Sequence, residues 1–426
     1  MRIDISEATS DDRTAAVGEP GKRIAIVGAG PGGVSAGIAL RQAGFHVRIF
    51  ERNDAIEATG GAILLNAVGI YILRSYGVGM DDLYTAGISE FRRYDGHFRA
   101  RWKTDDDLLK QAGVSGWISG MMRSEVYERM LSVVPADMIV ESARFEKYSE
   151  TPEGVTLHFA DGTTYEADLL IGADGINSVL REQLWGPSEL KHLGIAVWLG
   201  WAKLDGPPRT HMVLHHSDRH QLGYAPLRYQ NQDCFEYWFV EPCTEDQAEP
   251  ADPLVYMRER LDKFAYPVSE LLDATDPEKG LFRWVVKSRD PLKAWSRGRV
   301  TLLGDAAHPT SPYAGYGAGM AIEDGFFLGK YLAEKDLRDI VQVEAGLQLY
   351  DDQRVAYCNR VTGFARTLGT VFHNVPWPVR RFRDFMLDHT RIPEKQISKG
   401  YTEDAQLLLK GILEAESATS ATSRPA

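Results

Sequence analysis

The stretch "RIAIVGAGPGGVSAG" (Arg23–Gly37) decides the fold, because it joins an apolar run to a helical pattern through a glycine-rich turn. Arg23–Val27 has the length and composition of a buried strand. Pro31 stands where a first helical turn begins, and Gly44 follows the last helical position. Phe45–Phe50 then has the pattern of a second strand. The order predicts a strand–turn–helix–strand unit, as a parallel α/β sheet requires.

The turn itself satisfies the pattern G-x-G-x-x-G at Gly28, Gly30 and Gly33. Glycine at these positions permits a tight turn, close approach of the backbone to a pyrophosphate, and close packing of helix on strand. The helix beginning at Pro31 would present free N–H groups to phosphate oxygens. Glu51, followed by Arg52, ends the second strand, where a carboxylate can bind ribose hydroxyls. The unit therefore predicts a site for an ADP group, which NAD and FAD share.

A second glycine-rich stretch, "GRVTLLGDAAHPTSPYAGYGAGMAIEDG" (Gly298–Gly325), again follows an apolar run and leads into a helical pattern. A dehydrogenase that uses NAD has no need of another Gly-Asp element so far along the chain. The ribityl chain and isoalloxazine ring of a flavin, in contrast, extend well beyond the ADP group. The pair of turns therefore favours FAD.

This second stretch resembles the Gly-Asp motif of the class A flavoprotein monooxygenases, the para-hydroxybenzoate hydroxylase-like family of aromatic-ring hydroxylases. "LLIGADGINSVLREQL" resembles the family's Asp-Gly motif, with matches at Gly172, Asp174, Gly175, Ser178 and Arg181. "MMRSEVYERML" resembles the segment whose arginine reaches the FAD, and "TGGAILLNA" the segment beside the flavin ring. These motifs occur in family order and span residues 21–360.

The resemblance implies roles for the matching residues. Asp305 would bind the ribityl hydroxyls, and Asp174 would serve both FAD and the approach of NAD(P)H. The helix opened by Gly317, Ala318 and Gly319 would direct N–H groups at the flavin N1/C2=O edge, where reduced flavin is negative. The other implied cofactor positions are Gly60, Gly61, Ala62 and Arg123, and Pro309 would lie in the loop at the ring. Ala62, Tyr316, Gly319 and Tyr357 differ from the residues that many relatives carry there.

Composition excludes several classes of protein. The 426 residues include 48 Lys and Arg against 60 Asp and Glu, a net charge of −12, which disfavours nucleic acid as a partner. The three cysteines lack CxxC spacing and predict neither a disulfide framework nor a zinc site, so no metal is expected. The N-terminal stretch lacks the apolar core of a secretory signal, and no apolar run is long enough to span a bilayer. We therefore expect a cytoplasmic enzyme, either monomer or homodimer.

The pattern along the chain predicts a mixed α/β fold, with a Rossmann-like FAD-binding domain, an inserted antiparallel β-sheet domain for the substrate, and C-terminal helices. Short aromatic and β-branched runs, "GIAVWLGWAKL", "HMVLHH", "QLGYAPL" and "CFEYWFVE", suggest the inserted sheet. The expected segments are a disordered leader (1–20), the FAD-binding domain in two parts (21–185 and 286–370), the substrate sheet (186–285), C-terminal helices (371–415) and a disordered tail (416–426).

The substrate side offers several candidates for a residue that removes a phenol proton. Alternation in the strand Cys234–Val240 puts Phe235, Tyr237 and Phe239 on one face and Trp238 on the other, either as core or as pocket wall. Tyr224 in "QLGYAPL" is the first candidate for the base, and His211 and Tyr237 are others. His308 is expected to be a structural partner of its loop. Arg219 and Arg228 could meet a substrate carboxylate.

The family's reaction gives the expected function. NAD(P)H, with NADPH favoured, would reduce the flavin, O₂ would add to give a C4a-hydroperoxide, and one oxygen would pass to an aromatic or polyketide-like small molecule. Such chemistry needs a dry pocket, which an apolar sheet over the flavin would supply. The alternatives are a halogenase or reductase of the same superfamily, an NAD-linked dehydrogenase, and a protein that binds FAD without turnover. "VWLGWAKL" lacks the W-x-W-x-I-P run associated with halogenases.

Overall fold

The computed structural model describes residues 18–54, 61–315 and 317–422. The strands in chain order are β1 (Arg23–Val27), β2 (His46–Phe50), β3 (Ala62–Asn66), β4 (Thr85–Ala86), β5 (Ile88–Arg93), β6 (Phe98–Arg101), β7 (Ile118–Met122), β8 (Ile139–Val140), β9 (Phe145–Thr151), β10 (Gly154–Phe159), β11 (Thr164–Ala167), β12 (Leu169–Gly172), β13 (Lys191–Ala202), β14 (His211–His216), β15 (Gln221–Tyr229), β16 (Gln232–Pro242), β17 (Leu281–Ser288) and β18 (Val300–Leu302).

The helices in chain order are α1 (Pro31–Gln42), α2 (Ala67–Ser75), α3 (Asp106–Gln111), α4 (Arg123–Leu131), α5 (Val179–Trp185), α6 (Pro253–Leu261), α7 (Val268–Asp273), α8 (Gly317–Leu332), α9 (Ile340–Gly369), α10 (Trp377–His389) and α11 (Lys399–Thr422). A π-helical turn, Thr370–Asn374, follows α9 directly. Within the described part of the chain, no helix has the length and apolarity needed to cross a membrane.

A five-stranded parallel sheet lies at the centre of the first unit, in the order β18-β12-β1-β2-β8. In β1, Ile26 pairs with Ile171 of β12 on one side and with Ile49 of β2 on the other. All three are fully buried, as expected for strands of a parallel sheet covered on both faces. The predicted mixed α/β fold with a Rossmann-like unit is confirmed.

The second sheet is larger than the segment 186–285 predicted for it. Its strands run in the order β17-β13-β16-β15-β14-β5-β6, and β3, β4 and β7 join it near β15. Residues 62–122 therefore contribute strands to this sheet, although the sequence placed them in the FAD-binding domain. The difference arises because these strands are short and pair with residues far along the chain, as Gly120 does with Leu227.

The C-terminal region is helical, as predicted, and a break occurs at Pro376, immediately before α10. The structure differs from the sequence prediction at the end of the chain, because α11 continues to Thr422 through residues expected to be a disordered tail. Most of the expected leader, residues 1–17, lies outside the described residues.

Candidate functional site

The first glycine turn is closed on one side and open on the other. Gly28 has a φ of +104°, and a Cβ atom there would lie 2.4 Å from the carbonyl oxygen of Ala173. A Cβ on Gly33 would lie 2.1 Å from the Gly28 carbonyl oxygen, so only glycine permits this helix to pack so closely. A Cβ on Gly30, in contrast, would meet no protein atom within 4 Å. The open side lies at the beginning of α1.

The beginning of α1 has the features of an anion-binding site. No side chain caps its first turn, and no acidic residue lies there, so its free N–H groups and the positive end of the helix dipole are available. The Glu51 carboxylate accepts the Ala29 N–H at 3.0 Å, which fixes it beside the turn. Tyr127 donates a hydrogen bond to the Ala29 carbonyl. Arg52 is exposed.

The second glycine turn places Asp305 on the wall of a cleft. Gly304 has a φ of +56° and turns the chain after β18. The Asp305 side chain retains exposed surface, yet the surrounding protein desolvates its carboxyl and raises its pKa, while His308 and Arg123 oppose this increase. A carboxyl that is deep in the protein but still accessible lines an internal cleft. It fits a cofactor with hydroxyl groups.

Helices α1 and α8 pack side by side in parallel. A Cβ on Gly32 would lie 3.0 Å from the Ala321 Cβ, and a Cβ on Gly325 would lie 2.4 Å from the Ala36 nitrogen. Farther along, Gly329 approaches Ala39 in the same way. Because the paired residue numbers rise together, both helix N-termini point to the same edge of the parallel sheet. The two glycine turns thus contribute to one site.

A buried ionic network supports the second turn. His308 Nε2 lies 2.6 Å from Asp324 Oδ2, and Arg354 Nε lies 2.7 Å from Asp324 Oδ1. Gly304 N–H also donates to Asp324, and Arg354 pairs with Glu323 at 2.9 Å. Burial alone would lower the pKa of His308, but its interactions with Cys358 and Asp324 raise it well above the usual range. The expectation that His308 is a structural partner of the loop agrees with this geometry.

The Asp-Gly motif connects the two turns. Arg181 is buried and donates hydrogen bonds to the carbonyl oxygens of Ala306 and Ala307 at 2.9 and 2.8 Å. Asp174 lies after β12, next to the first turn, and accepts the Leu180 N–H at 3.2 Å. Burial raises the pKa of Asp174. This segment therefore fixes the position of the Asp305 loop relative to the Gly28 turn.

The segment expected beside the flavin ring forms an antiparallel pair, β3 with β7. Ala62 pairs with Met122, and the Arg123 N–H donates to the Gly61 carbonyl at 3.2 Å. The Arg123 guanidinium lies over the Trp284 ring, 5.8 Å from its centroid. The expected residue Gly60 lies outside the described residues, as does Tyr316.

The remaining flavin positions lie at the beginning of α8 and in the loop before it. Gly317 and Ala318 are half-buried, and Gly319 is buried. Pro309 is buried, and its carbonyl oxygen accepts a hydrogen bond from the Ser288 hydroxyl at 2.8 Å. The packing of α1 on α8 and the proximity of Arg123 to Asp305 thus connect the first turn, the Asp305 loop and the β3–β7 segment. The open helix end and the accessible Asp305 fit a long dinucleotide such as FAD.

The substrate candidates divide between two faces of the second sheet. One face, which we call the outer face, packs against α6 and α7 and forms a separate apolar cluster. Tyr224 and Tyr237 both belong to this cluster, and the Tyr237 hydroxyl lies 2.8 Å from that of Thr275. Burial raises the pKa of Tyr224 to about 12. The structure gives these tyrosines no access to the flavin side, which differs from the expectation for a base.

Residues of the opposite face, which we call the inner face, alternate with those of the outer face along each strand. A Cβ on Gly61 would lie 3.5 Å from the Leu199 Cβ, so the inner face abuts the flavin-ring segment. Most inner-face residues of β13, β14, β15 and β16 are apolar. These residues include Val197, Leu199, Trp201, Met212, Leu214, His216, Gln221, Gly223, Ala225, Leu227, Cys234, Glu236, Trp238 and Val240.

The other predicted polar residues lie away from this face. His211 is half-buried at the start of β14, where its ring lies 3.0 Å from the Thr210 hydroxyl. Arg219 is exposed in the turn between β14 and β15. Arg228 alternates with Leu227 and is directed to the outer side. No arginine expected to meet a carboxylate lies on the inner face among the described residues.

Sequence reasoning missed three groups at this site. Tyr313, in the loop after Pro309, hydrogen bonds with Gln221 and His373, which attaches this loop to β15 and the π-helical turn. Glu236 and Trp201 are the other two, and both lie on the inner face. The only available signal was one acidic residue within an aromatic strand, "CFEYWFVE".

Known proteins have a sequence and a fold similar to those of this chain. Residues 22–365 match the protein family described as FAD binding domain. The chain is 33% identical over 356 residues to 6-hydroxynicotinate 3-monooxygenase of Bordetella bronchiseptica, covering 80% of this chain and 89% of that protein. It is 31% identical over 381 residues to 3-amino-4-hydroxybenzoate 2-monooxygenase of Streptomyces cremeus, covering 87% and 93%. The crystal structure of Klebsiella pneumoniae HpxO with FAD and uric acid has a TM-score of 0.78 and 26% identity, covering 92% of this chain and 98% of that one.

Proposed function

The chain belongs to the FAD-binding-domain family of class A flavoprotein monooxygenases, which act on aromatic compounds, and on this premise we propose that it hydroxylates a small heteroaromatic or phenolic molecule with NAD(P)H and O₂. It is a FAD-dependent monooxygenase and therefore an oxidoreductase.

The observation that carries the proposal is the arrangement of α1, α8 and Asp305 around one cleft. The free N–H groups at the start of α1 would hold the pyrophosphate, and Glu51 the ribose. Asp305 would accept hydrogen bonds from the ribityl hydroxyls. The start of α8 would stabilise negative charge on the reduced ring. We assign further cofactor contacts to Gly28, Gly30, Pro31, Gly33, Arg52, Gly60, Gly61, Ala62, Arg123, Asp174, Gly317, Ala318 and Gly319.

The reaction consumes one NAD(P)H, one proton and one O₂ for each oxygen atom that is inserted into the substrate, and it releases NAD(P)⁺ and one water molecule that contains the other oxygen atom. When bound, FAD supplies the transfer of electrons to O₂ and of one oxygen atom to the substrate. The protein's contribution is to position the ring of the substrate and to exclude water. Val197, Leu199, Leu214 and Val240 of the inner face suit this role because all are apolar and largely buried.

The proposal leaves Tyr224 and Tyr237 out of the reaction. Their rings pack with α6 and α7, on the outer face of the sheet. A general base must approach within hydrogen-bond distance of the proton it removes. Pro309 remains as a residue of the loop at the ring, held by the Ser288 hydroxyl.

The proposal is tested with purified protein. We expect a yellow protein that releases FAD on denaturation. NAD(P)H oxidation should be stimulated by at least one of 6-hydroxynicotinate, 3-amino-4-hydroxybenzoate and uric acid, with a hydroxylated product. NAD(P)H oxidation that yields only peroxide with every compound, under saturating FAD, would favour a flavoprotein without substrate turnover. A colourless protein that reduces NAD⁺ with a hydroxy compound would favour the dehydrogenase alternative.

A further inference from the structure

Glu236 is a buried carboxylic acid without a partner. It lies on the inner face, at the centre of β16, and only 4% of the residue is exposed. Its Oε1 atom is fully enclosed and forms no hydrogen bond within the described part of the chain. Native proteins satisfy nearly all buried polar atoms, because leaving such an atom unpaired is destabilising. The presence of an unpaired carboxyl at this buried position, although it is destabilising, therefore indicates a functional role for Glu236.

Trp201 is the residue directly opposite Glu236 in the register of β13 and β16. Its indole Nε1 is also enclosed and has no hydrogen-bond partner among the described residues. The Trp201 ring packs edge-on against Tyr229, with centroids 5.2 Å apart. Trp201 as a whole is only half-buried, so part of this residue remains exposed although its Nε1 is enclosed. Two unpaired polar groups therefore lie on neighbouring residues of one face.

The residues that neighbour Glu236 in β7 and β15 are small and leave space for its carboxyl group. A Cβ on Gly120 of β7 would lie 2.2 Å from Glu236 Oε1, so only glycine permits the carboxyl to lie there. In β15 the residue beside Glu236 is Ala225. Gly120 precedes Arg123 by three positions in the chain. In the β3–β7 pair, Gly120 lies opposite Leu64, which follows Ala62 by two positions. The pair thus adjoins the segment assigned to the flavin ring.

Burial favours the neutral form of the Glu236 carboxyl. Burial raises its pKa well above the usual range, and neither a charge nor a hydrogen bond opposes that increase. The inner-face residues of β13, β14, β15 and β16 named above include no lysine or arginine. A neutral carboxyl has one O–H donor and one carbonyl acceptor side by side, and an indole N–H adds a second donor. This set is complementary to an adjacent C=O and N–H, the edge of a lactam.

We propose that Glu236 and Trp201 form a polar subsite that binds the lactam edge of a heteroaromatic substrate. The inference rests on the proposed function, because it assigns the substrate class of the same site. Uric acid has such edges, and 6-hydroxynicotinate has one in its pyridone form. 3-Amino-4-hydroxybenzoate has none. The subsite therefore selects the first two compounds over the third.

Binding to the FAD-loaded protein tests the subsite without requiring turnover. The dissociation constant of each compound is read from the change in flavin absorbance. We expect Glu236→Met to weaken binding of uric acid and 6-hydroxynicotinate by about tenfold, equivalent to about 1.4 kcal/mol, and to change that of 3-amino-4-hydroxybenzoate less than twofold. Trp201→Phe should show the same selective loss. Glu236→Gln should retain binding within about threefold, because an amide also offers one donor and one acceptor.

Controls separate this inference from the proposed function. Tyr224→Phe, on the outer face, should leave all three dissociation constants unchanged. Equal weakening for all compounds in Glu236→Met, or wild-type binding of both lactams in that variant, would overturn the subsite. A wild-type protein that binds and hydroxylates only 3-amino-4-hydroxybenzoate would also overturn it while leaving the proposed function intact. Selective lactam binding without hydroxylation would overturn the proposed function and support the subsite.

Discussion

Gly325 of α8 lies against the backbone of Ala36 of α1, since a Cβ atom on Gly325 would be 2.4 Å from the Ala36 nitrogen. This contact holds the two parallel helices together and so aligns the two ends of the cofactor site. Gly325→Ala should force the helices apart and cost about 1–3 kcal/mol of stability. We expect a lower unfolding temperature and less FAD per protein, measured by absorbance after purification.

Gly363→Ala is the matched control for this prediction. Gly363 is exposed on α9, and a Cβ there would meet no protein atom within 4 Å. Alanine favours a helix over glycine by about 1 kcal/mol, so this variant should be as stable as the wild type or more stable. A Gly325→Ala protein with normal stability and FAD content would show that the close helix contact does not matter.

Asp305→Ala should lose more than half of the bound FAD, because the accessible carboxylate in the cleft is the proposed acceptor for the ribityl hydroxyls. The measurement is the ratio of flavin to protein absorbance after extensive dialysis. Asp352→Ala, on the exposed side of α9, should retain its FAD. An Asp305→Ala protein with the same ratio as the wild type would contradict the assignment.

Arg354→Met should destabilise the protein by about 3–5 kcal/mol, because it leaves the Glu323 carboxyl buried without its cation and leaves Asp324 paired with His308 alone. Thermal unfolding of the FAD-free protein measures this effect apart from cofactor binding. Arg360→Met changes the same residue type on the same helix, but its ion pair with Asp404 is exposed and should contribute less than about 1 kcal/mol. Equal effects of the two changes would refute the importance of the buried network.

Tyr224→Phe should leave the rate of hydroxylation within about twofold of the wild-type rate, since its ring belongs to the cluster with α6 and α7. General acid–base catalysis typically contributes about 10²–10⁴-fold, so the two outcomes are well separated. Rapid mixing of the reduced protein with O₂ and substrate gives the rate. A loss of that size would return Tyr224 to the reaction.

Glu236→Gln should change how stability depends on pH. Burial raises the pKa of Glu236 above its ordinary value of 4.5, so the folded protein keeps a proton that the unfolded chain releases above pH 4.5. The stability of the wild type therefore falls as pH rises, by up to about 1.4 kcal/mol per pH unit until the folded pKa is reached. The variant lacks this loss, so its unfolding temperature should rise relative to that of the wild type as the pH increases from 4.5 toward the folded pKa of Glu236.

A difference between the two unfolding temperatures that stays constant over this range would show that Glu236 is already ionised in the folded protein. Glu236→Gln keeps the volume of the side chain, which limits changes in packing. The comparison is made without substrate, because a bound ligand would add its own dependence on pH.

The sequence predicted the turns and helices of the proposed cofactor site better than it predicted the two faces of the second sheet, for a physical reason. The positions of Gly28, Gly33 and Asp305 follow from short motifs in which backbone geometry requires particular residue types. Alternation correctly placed Tyr237 and Trp238 on different faces of one strand. It could not show which face would be covered by α6 and α7, since that depends on packing between segments far apart in the chain.

Two further features lay beyond sequence reasoning. Strands β3 and β7 join the second sheet through pairing with distant residues, as between Gly120 and Leu227, and local patterns carry no sign of such pairing. The isolation of Glu236 was equally hidden, because an acidic residue in a strand is usually solvated or paired. Only the packed structure shows that neither applies within the described part of the chain.

Isotope labelling of the product tests the central claim most directly. The FAD-loaded protein is supplied with NAD(P)H, ¹⁸O₂ and each of the three compounds in ordinary water, and products are analysed by mass spectrometry. We predict that at least one compound gains one hydroxyl group carrying one ¹⁸O atom, with one NAD(P)H oxidised for each product formed. A product whose new oxygen comes from water, or NAD(P)H oxidation without any oxygenated product, would contradict the assignment as an oxygen-inserting hydroxylase.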